Sequence, residues 1–388
     1  MKLSCLQENL AKGLAIVSRA VSTRSVLPVL HNILLATDQG QLKLSATDLS
    51  TSITCWIGAK IRDEGSATVP ARLLVDFVNG LPPETIDLEF IARTQTLHLT
   101  CARTEANIKG IDAQEFPLIP SASTDPEAVG GKQRITLDSE ALCRMIAQVT
   151  FAAASDESRP ILTGALADFQ DGRLTLAAAD GFRLSVRSAS LPDTVGTSER
   201  RAVIVPARAL QELSRIAAGQ EEPVEVLIPP KGSQILFRLS NSELGGAIEL
   251  VSQLIEGNFP DYQQIIPKTH ATRTVIGTQD FLRAAKIASL FARDAANIVR
   301  VQMMPTEGRL VVSATAAEVG DDRSELDAEV EGEPLEIAFN GRYLIEVLNV
   351  ITSPQVVLET STPSSPGVFR PVDSEDFVHV IMPMHISR

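Results

Sequence analysis

The segment 69–77, VPARLLVDF, returns twice further along the chain, as 205–213 (VPARALQEL) and 339–347 (FNGRYLIEV). All three copies share the pattern Arg-x-Leu-x-acid-apolar, and successive copies lie about 135 residues apart. A proline near the first helical position and an arginine four residues before an acid are typical of the start of an amphipathic helix. A repeat of this length is a whole domain, so the sequence predicts three similar domains.

A second predicted helix precedes each copy of this segment. Apolar runs with helical period begin near Glu8, Glu140 and Asp280, between 62 and 68 residues ahead of the arginine of the repeated segment. Alternating segments such as 234–239 (QILFRL) have the period of half-buried strands. The class is therefore α+β, with two helices and antiparallel sheet in each domain. The predicted helices cover roughly 6–22, 69–80, 137–151, 205–218, 277–293 and 339–350.

Polar, turn-forming segments of the sequence indicate the domain boundaries. A polar stretch at 121–131 follows the first copy, and 267–270 (PKTH) closes the second. We therefore expect domains over 1–130, 131–270 and 271–388. A chain of 388 residues with 44% hydrophobic residues can bury a core in each of them.

Composition argues against several classes of protein. The four cysteines lie 42 to 50 residues apart, without the paired spacing of zinc or redox motifs, so we expect buried, reduced thiols in a cytoplasmic protein. No apolar run reaches bilayer length, and neither a signal peptide nor a membrane span is predicted. The five histidines show no metal-ligand spacing, and the sequence has no nucleophile elbow, phosphate loop or dinucleotide fingerprint. We predict no catalytic activity, no metal and no cofactor.

The distribution of charge says more than its sum. The chain has a formal net charge of −13, yet the six predicted helices carry ten basic and seven acidic residues, which leaves −16 for the remainder. If the helices face one way, they form a mildly basic surface suited to the phosphates of DNA. Solvated helix faces with ordinary ion pairs are the alternative. The basic residues are Lys12, Arg19, Arg72, Arg144, Arg208, Arg215, Arg283, Lys286, Arg293 and Arg342.

Eight short phrases resemble the bacterial DNA polymerase III beta subunit family, the processivity sliding clamps, over the full length of the chain. Each phrase alone is common, but their order across three repeats is specific. They are 27–30 (LPVL) with Asn32, 46–49 (ATDL), 116–117 (FP), 159–164 (RPILTG), 180–184 (DGFRL), 256–262 (EGNFPDY), 339–340 (FN) with Tyr343, and 382–384 (MPM).

The resemblance implies a function. Clamps of this family are homodimers, joined head to tail into a closed ring of six domains, with helices around the hole and sheets outside. The ring encircles duplex DNA without regard to sequence and tethers other proteins, which confers processivity on the polymerase. The implied partners are DNA, the polymerase III catalytic subunit, the clamp loader, and other polymerases and repair proteins that carry clamp-binding peptides. The basic helices would then line the hole.

The resemblance also implies site residues. Arg24 and Arg159 match loop positions that touch DNA in the family, and Ile108, Leu290 and Phe291 match dimer-interface positions. The peptide groove of the family lies between the second and third domains. Its matching residues here are Leu162, Gly181, Phe182, Arg183, Leu184, Pro260, Ile265, Asn340, Tyr343, Val380, Ile381, Met382, Pro383 and Met384.

Some positions depart from the family pattern. Ala179 replaces a threonine, Phe182 stands where a histidine or tyrosine is also found, and the chain continues through 385–388 (HISR) after Met384. The rim of the peptide site and its ligand preference are expected to differ accordingly. A clamp-like scaffold that binds proteins but no longer encircles DNA is the other interpretation, and the basic helices argue against it.

Overall fold

The computed structural model describes residues 1–22, 25–121, 134–191, 200–228, 233–293 and 296–385. Within these ranges each of the three repeats contributes two α-helices, at the predicted positions, and antiparallel strands. The first repeat contains β1 Lys2–Leu6, α1 Gln7–Val17, β2 Asn32–Asp38, β3 Gln41–Thr47, β4 Thr51–Gly58, β5 Lys60–Asp63, β6 Ser66–Pro70, α2 Ala71–Asn79, β7 Thr85–Ile91, β8 Thr96–Cys101 and β9 Thr104–Lys109.

The second and third repeats follow the same order of elements, with four strands between their helices in place of five. The second contains β10 Arg134–Leu137, α3 Ser139–Val149, β11 Gly164–Gln170, β12 Arg173–Ala179, β13 Arg183–Ser190, β14 Arg201–Pro206, α4 Ala207–Ala217, β15 Val224–Leu227, β16 Gln234–Asn241 and β17 Gly246–Gln253. The third contains β18 Thr272–Gly277, α5 Thr278–Ala292, β19 Ile298–Met304, β20 Arg309–Ala316, β21 Gly320–Gly332, β22 Leu335–Asn340, α6 Gly341–Val350, β23 Gln355–Thr360, β24 Gly367–Pro371 and β25 Phe377–Ile381.

The repeated segment begins a helix in each repeat. In α2 and α6 the arginine pairs with the acid one turn later, at 3.8 Å for Arg72–Asp76 and 3.0 Å for Arg342–Glu346. The third copy lacks the proline, and there the Asn340 side chain caps α6 by accepting a hydrogen bond from the Arg342 amide at 3.0 Å. The shared leucine of each segment is buried, which fixes the face that the helix turns to the core.

The described residues form two compact units, each with parts of two repeats. The first, from 1–143 and 212–254, contains the sheets β5-β1-β7-β8-β9 and β10-β15-β16-β17-β4-β3-β2-β6. The second, from 144–191, 200–211 and 255–385, contains one twelve-stranded sheet, β14-β11-β12-β13-β25-β24-β23-β18-β21-β20-β19-β22. The pairs β17–β4 and β13–β25 join neighbouring repeats. The domain boundaries predicted at 130 and 270 stay a prediction.

The cysteines and the length of the helices bear on two expectations from the composition. All four cysteines are free thiols, three of them buried, and burial raises the pKa of Cys5 and Cys55 to about 12. No helix in the described ranges combines the length and the apolarity that crossing a bilayer requires.

Candidate functional site

The turn before β13 shapes the centre of the candidate peptide site. The Asp180 carboxylate accepts hydrogen bonds from the backbone amides of Phe182 and Arg183, at 2.8 and 3.0 Å. Gly181 between them has φ +94, a conformation that glycine adopts at little cost. This geometry directs the Phe182 side chain outward, where 59% of it is exposed.

A second exposed apolar side chain lies beside Phe182. Strand β25 pairs with β13 in a register that places Ile381 opposite Arg183. One residue further along, the Met382 amide donates to the Phe182 carbonyl at 2.8 Å, and Met382 is 40% exposed. The ends of these two strands therefore present two apolar side chains on adjoining backbones, each with a large exposed fraction.

The outer face of the sheet, which is the face turned away from the helices, lies next to this pair. Leu184 and Val380 are buried there in an apolar cluster that Phe259, Tyr262 and Ile266 partly cover. The same covering segment carries Pro260 and Ile265, both of which are exposed. The outer face thus combines a cluster of buried apolar side chains with exposed apolar side chains beside it.

On the opposite, helix-facing side of the sheet, Arg183 is buried and already bonded. Its Nε donates to Asp180 Oδ2 at 3.0 Å, its Nη2 donates to the Phe151 carbonyl at 2.5 Å, and its Nη1 donates to Glu346. The guanidinium also lies over the Tyr343 ring, 4.3 Å from the centroid. Arg183 therefore secures the turn to α6, and its three nitrogens have protein partners.

Near Arg183 lies His379, which the sequence analysis does not single out as a functional residue. It is fully buried, and its ring stacks on Phe151 with centroids 5.2 Å apart. Burial holds the pKa of His379 well below its usual range, and the neighbouring charge of Arg183 lowers it further. Period-two alternation on β25 was the available signal, because it places residue 379 on the face opposite Val378 and Val380.

An open groove of about 770 Å³ connects residues of the two predicted sites. Arg159, Arg208 and Arg342 from the predicted DNA-binding set line it together with Phe182, Arg183 and Tyr343 from the predicted peptide-binding set. Arg159 lies against the turn, since a Cβ on Gly181 would be 2.8 Å from its Nη1. The structure therefore places residues predicted to bind DNA and residues predicted to bind peptide in the same groove.

The other predicted peptide-binding residues occupy three different surroundings. Leu162 is half-buried in the short turn Pro160–Thr163, and Ile381 is fully buried in the core of the third repeat. Pro383 and Met384 are half-buried, and the Met384 amide donates to the Ala338 carbonyl of β22 at 2.8 Å. None of these four residues is among those that line the open groove.

The basic helix residues within the described ranges lie at the surface. Arg144, Arg208, Lys286 and Arg293 are exposed. Several of the others form ion pairs, so the two sequence interpretations of these residues are compatible. The pairs are Lys12–Glu243 at 3.0 Å, Arg19–Glu212 at 3.2 Å, Arg215–Glu212, and Arg283–Asp280 at 3.2 Å, besides those of Arg72 and Arg342. Arg24 lies outside the described residues.

The three predicted dimer-interface residues differ in exposure. Leu290, near the end of α5, is 56% exposed, whereas Phe291 is half-buried against the core of the third repeat. Ile108 is buried on β9, an edge strand of the five-stranded sheet. Leu290 is thus the residue of the three whose exposed apolar surface is unexplained by packing within one chain.

The repeats and their surfaces define a class of protein before any comparison. Three copies of one α+β unit carry helices with basic surface residues and an adjoining pair of exposed apolar side chains, Phe182 and Met382. The described residues contain no group of three or more His, Cys, Asp or Glu side chains placed to hold a metal. This is the architecture of a binding scaffold built from repeated domains.

Comparison with known proteins identifies the family. Models of the N-terminal, central and C-terminal domains of the DNA polymerase III beta subunit match residues 1–120, 136–261 and 263–385. A beta sliding clamp of Synechococcus elongatus is 32% identical over the whole of both chains, and one of Staphylococcus epidermidis is 32% identical over 94% of each. The crystal structure of the DNA polymerase sliding clamp from Bacillus subtilis superposes with a TM-score of 0.91, at 27% identity and full coverage of both chains.

The chain belongs to the DNA polymerase III beta subunit family. It is therefore a sliding clamp that serves processivity in DNA replication, and it is not a catalyst. The predicted family, fold class and function are confirmed, whereas the roles of the individual site residues stay predictions.

Proposed function

We propose that two copies of this chain associate head to tail into a closed ring around duplex DNA. The third repeat of one chain would meet the first repeat of the other, and the exposed Leu290 side chain supplies apolar surface for that contact. Such an interface is heterologous, so it yields a ring only if the rotation closes.

We assign the contact with DNA to the basic helix residues and to Arg24 and Arg159. A net charge of +3 over the six predicted helix segments, in a chain of net charge −13, gives weak and non-directional attraction to phosphates. Weak attraction permits sliding, while the acidic remainder of the chain discourages DNA from binding elsewhere. Retention on DNA would then come from ring closure and not from affinity.

Partner proteins would dock by an extended peptide at the groove around Phe182 and Met382. The observation that carries this proposal is the adjacency of these two exposed apolar side chains, at the ends of β13 and β25. A methionine side chain adapts to different ligands, which suits a surface shared by several proteins. The proposed partners are the polymerase III catalytic subunit, the clamp loader, and other polymerases and repair proteins, all acting in the cytoplasm.

The test is retention on DNA of two topologies. We expect the purified protein to have the mass of a dimer and, after loading by its clamp loader, to stay on closed circular DNA but leave the same DNA once it is linearised. Equal loss from both templates would reject topological tethering and favour a scaffold that does not encircle DNA.

A further inference from the structure

We propose that DNA in the ring strengthens peptide binding through four linked side chains, Arg342, Glu346, Arg183 and Asp180, that end on the backbone of Phe182. This inference rests on the proposed function, since it couples the proposed DNA surface to the proposed peptide groove. It adds a regulatory connection between the two. The connection lies wholly within the second compact unit.

The first link joins an exposed arginine to a buried one. Glu346, on α6, accepts from Arg342 Nε through Oε1 at 3.0 Å and from Arg183 Nη1 through Oε2. Arg342 has 76% of its side chain exposed, whereas Arg183 has 6%. One carboxylate therefore divides its charge between a surface guanidinium and an interior one.

The second link joins the interior guanidinium to the peptide-facing turn. Arg183 Nε donates to Asp180 Oδ2 at 3.0 Å, and Asp180 Oδ1 accepts from the Phe182 amide at 2.8 Å. Any change in how firmly Arg183 holds Asp180 thus acts on the segment that carries the Phe182 side chain.

The interior part of this connection has little freedom to relax in another way. The Arg183 guanidinium lies over the rings of Phe151 and Tyr343, 5.3 and 4.3 Å from their centroids, and donates to the Phe151 carbonyl at 2.5 Å. Water screens its ion pairs poorly at this depth. By contrast, the exposed pair Arg342–Glu346 is of the weak kind that a phosphate can displace.

These differences set the direction of the effect. When a DNA phosphate takes Arg342, Glu346 no longer shares its charge, and Arg183 is held by two carboxylates without competition. The turn is then fixed more firmly, so a peptide loses less conformational freedom when it binds. We expect bound DNA to raise peptide affinity about fivefold, at the lower end of the usual range for coupled sites, and peptide to raise DNA affinity by the same factor.

The experiment measures peptide affinity with and without DNA on the full-length protein. The probe is a fluorescein-labelled peptide selected from a random library on the wild-type protein, read by anisotropy at low ionic strength. The DNA is a short linear duplex at a concentration that saturates each variant. We expect the peptide dissociation constant without DNA, divided by that with DNA, to be about five in the wild type and close to one in Arg342→Gln.

Arg283→Gln is the matched control. Arg283 is 71% exposed on α5 and belongs to the same basic set, but its ion pair with Asp280 stays within its own helix. This variant should keep the wild-type ratio. A ratio that persists in Arg342→Gln, or a ratio of one in a wild type that binds both ligands, overturns the coupling alone. A wild type whose peptide affinity does not change at any duplex concentration also overturns the coupling, and failure to bind any selected peptide overturns the proposed peptide groove as well.

Discussion

At the scale of single residues, Gly181 is the position where backbone conformation and the neighbouring side chain constrain the groove together. Its φ of +94 disfavours any other residue, and an added Cβ would be 2.8 Å from Arg159 Nη1. We expect Gly181→Ala to lower the free energy of unfolding by about 1 kcal/mol. We also expect it to weaken peptide binding about fivefold, because Arg159 must move.

Gly172→Ala separates these two effects. Gly172 has φ +67 in the turn between β11 and β12, with no other atom within 4 Å of an added Cβ. It should cost similar stability in chemical denaturation and leave peptide affinity unchanged. Equal losses of peptide affinity in both variants would show that the contact with Arg159 is irrelevant.

His379 makes a prediction about pH at the same scale. Its pKa is held well below the ordinary 6.5 in the folded state, so below that pH the unfolded chain binds a proton that the folded chain does not. The contribution of His379 to the free energy of unfolding is therefore fully present above pH 6.5 and is lost as the pH falls from there toward the folded-state pKa. In that range this residue lowers the free energy of unfolding by up to about 1.4 kcal/mol per pH unit.

Denaturation as a function of pH tests the contribution of His379. We expect His379→Phe to remove this part of the slope, because the substitute fills the buried site beside Phe151 without titrating. His385→Gln, at an exposed position, should keep the wild-type slope. Identical slopes in the wild type and His379→Phe would mean that the buried imidazole does not resist protonation.

At the scale of elements, the two junctions between repeats share one pattern of hydrogen bonds to backbone amides but differ in their side chains. In the first unit Asp48 Oδ1 accepts from the amides of Ser50 and Thr51, and the Ser50 carbonyl accepts from the Gln253 amide at 2.8 Å. The hydrogen bonds of Asp180, Phe182 and Met382 repeat this arrangement in the second unit. The apolar pair Phe182 and Met382 thus corresponds to the polar pair Ser50 and Gln253. The second junction therefore presents apolar side chains where the first presents polar ones.

Phe182→Ser transfers the residue of the first junction to the second. Because Phe182 is 59% exposed, we expect the free energy of unfolding to change by less than about 0.5 kcal/mol. Peptide affinity should fall at least about tenfold, as for other exposed aromatic anchors. Leu49→Ser, a 51% exposed apolar residue in the corresponding turn, should leave peptide binding intact. Undiminished binding by Phe182→Ser would remove Phe182 from the site.

The sequence predicted local elements far better than contacts between distant ones. The Arg-x-Leu-x-acid pattern located α2, α4 and α6 because it encodes an amphipathic first turn. No local pattern pairs β13 with β25, or places Glu346 against Arg183, which lies 163 residues earlier. The resemblance supplied Arg183 as a groove residue, but only the packing shows that its guanidinium is occupied within the fold. Alternation alone would have buried Leu184 and Val380, as observed.

At the scale of the whole molecule, the proposed ring depends on a contact that one chain cannot satisfy alone. Leu290 extends from α5 with 56% of its surface exposed, and burying such a side chain in a dimer is favourable by about 1 to 2 kcal/mol, which a charge there would reverse. We expect Leu290→Asp to have the mass of a monomer by light scattering and to leave circular DNA as quickly as linear DNA. Its peptide affinity should stay that of the wild type, since the groove lies within one chain.

Val319→Asp is the matched control for charge placed on exposed apolar surface of the third repeat. Val319 is 53% exposed in the turn between β20 and β21 and does not belong to a helix, so this variant should remain a dimer that is retained on circles. A dimeric Leu290→Asp would place the interface elsewhere. A monomeric Leu290→Asp that still stays on circular DNA longer than on linear DNA would contradict retention by ring closure, because a single chain with three repeats would then suffice to hold DNA.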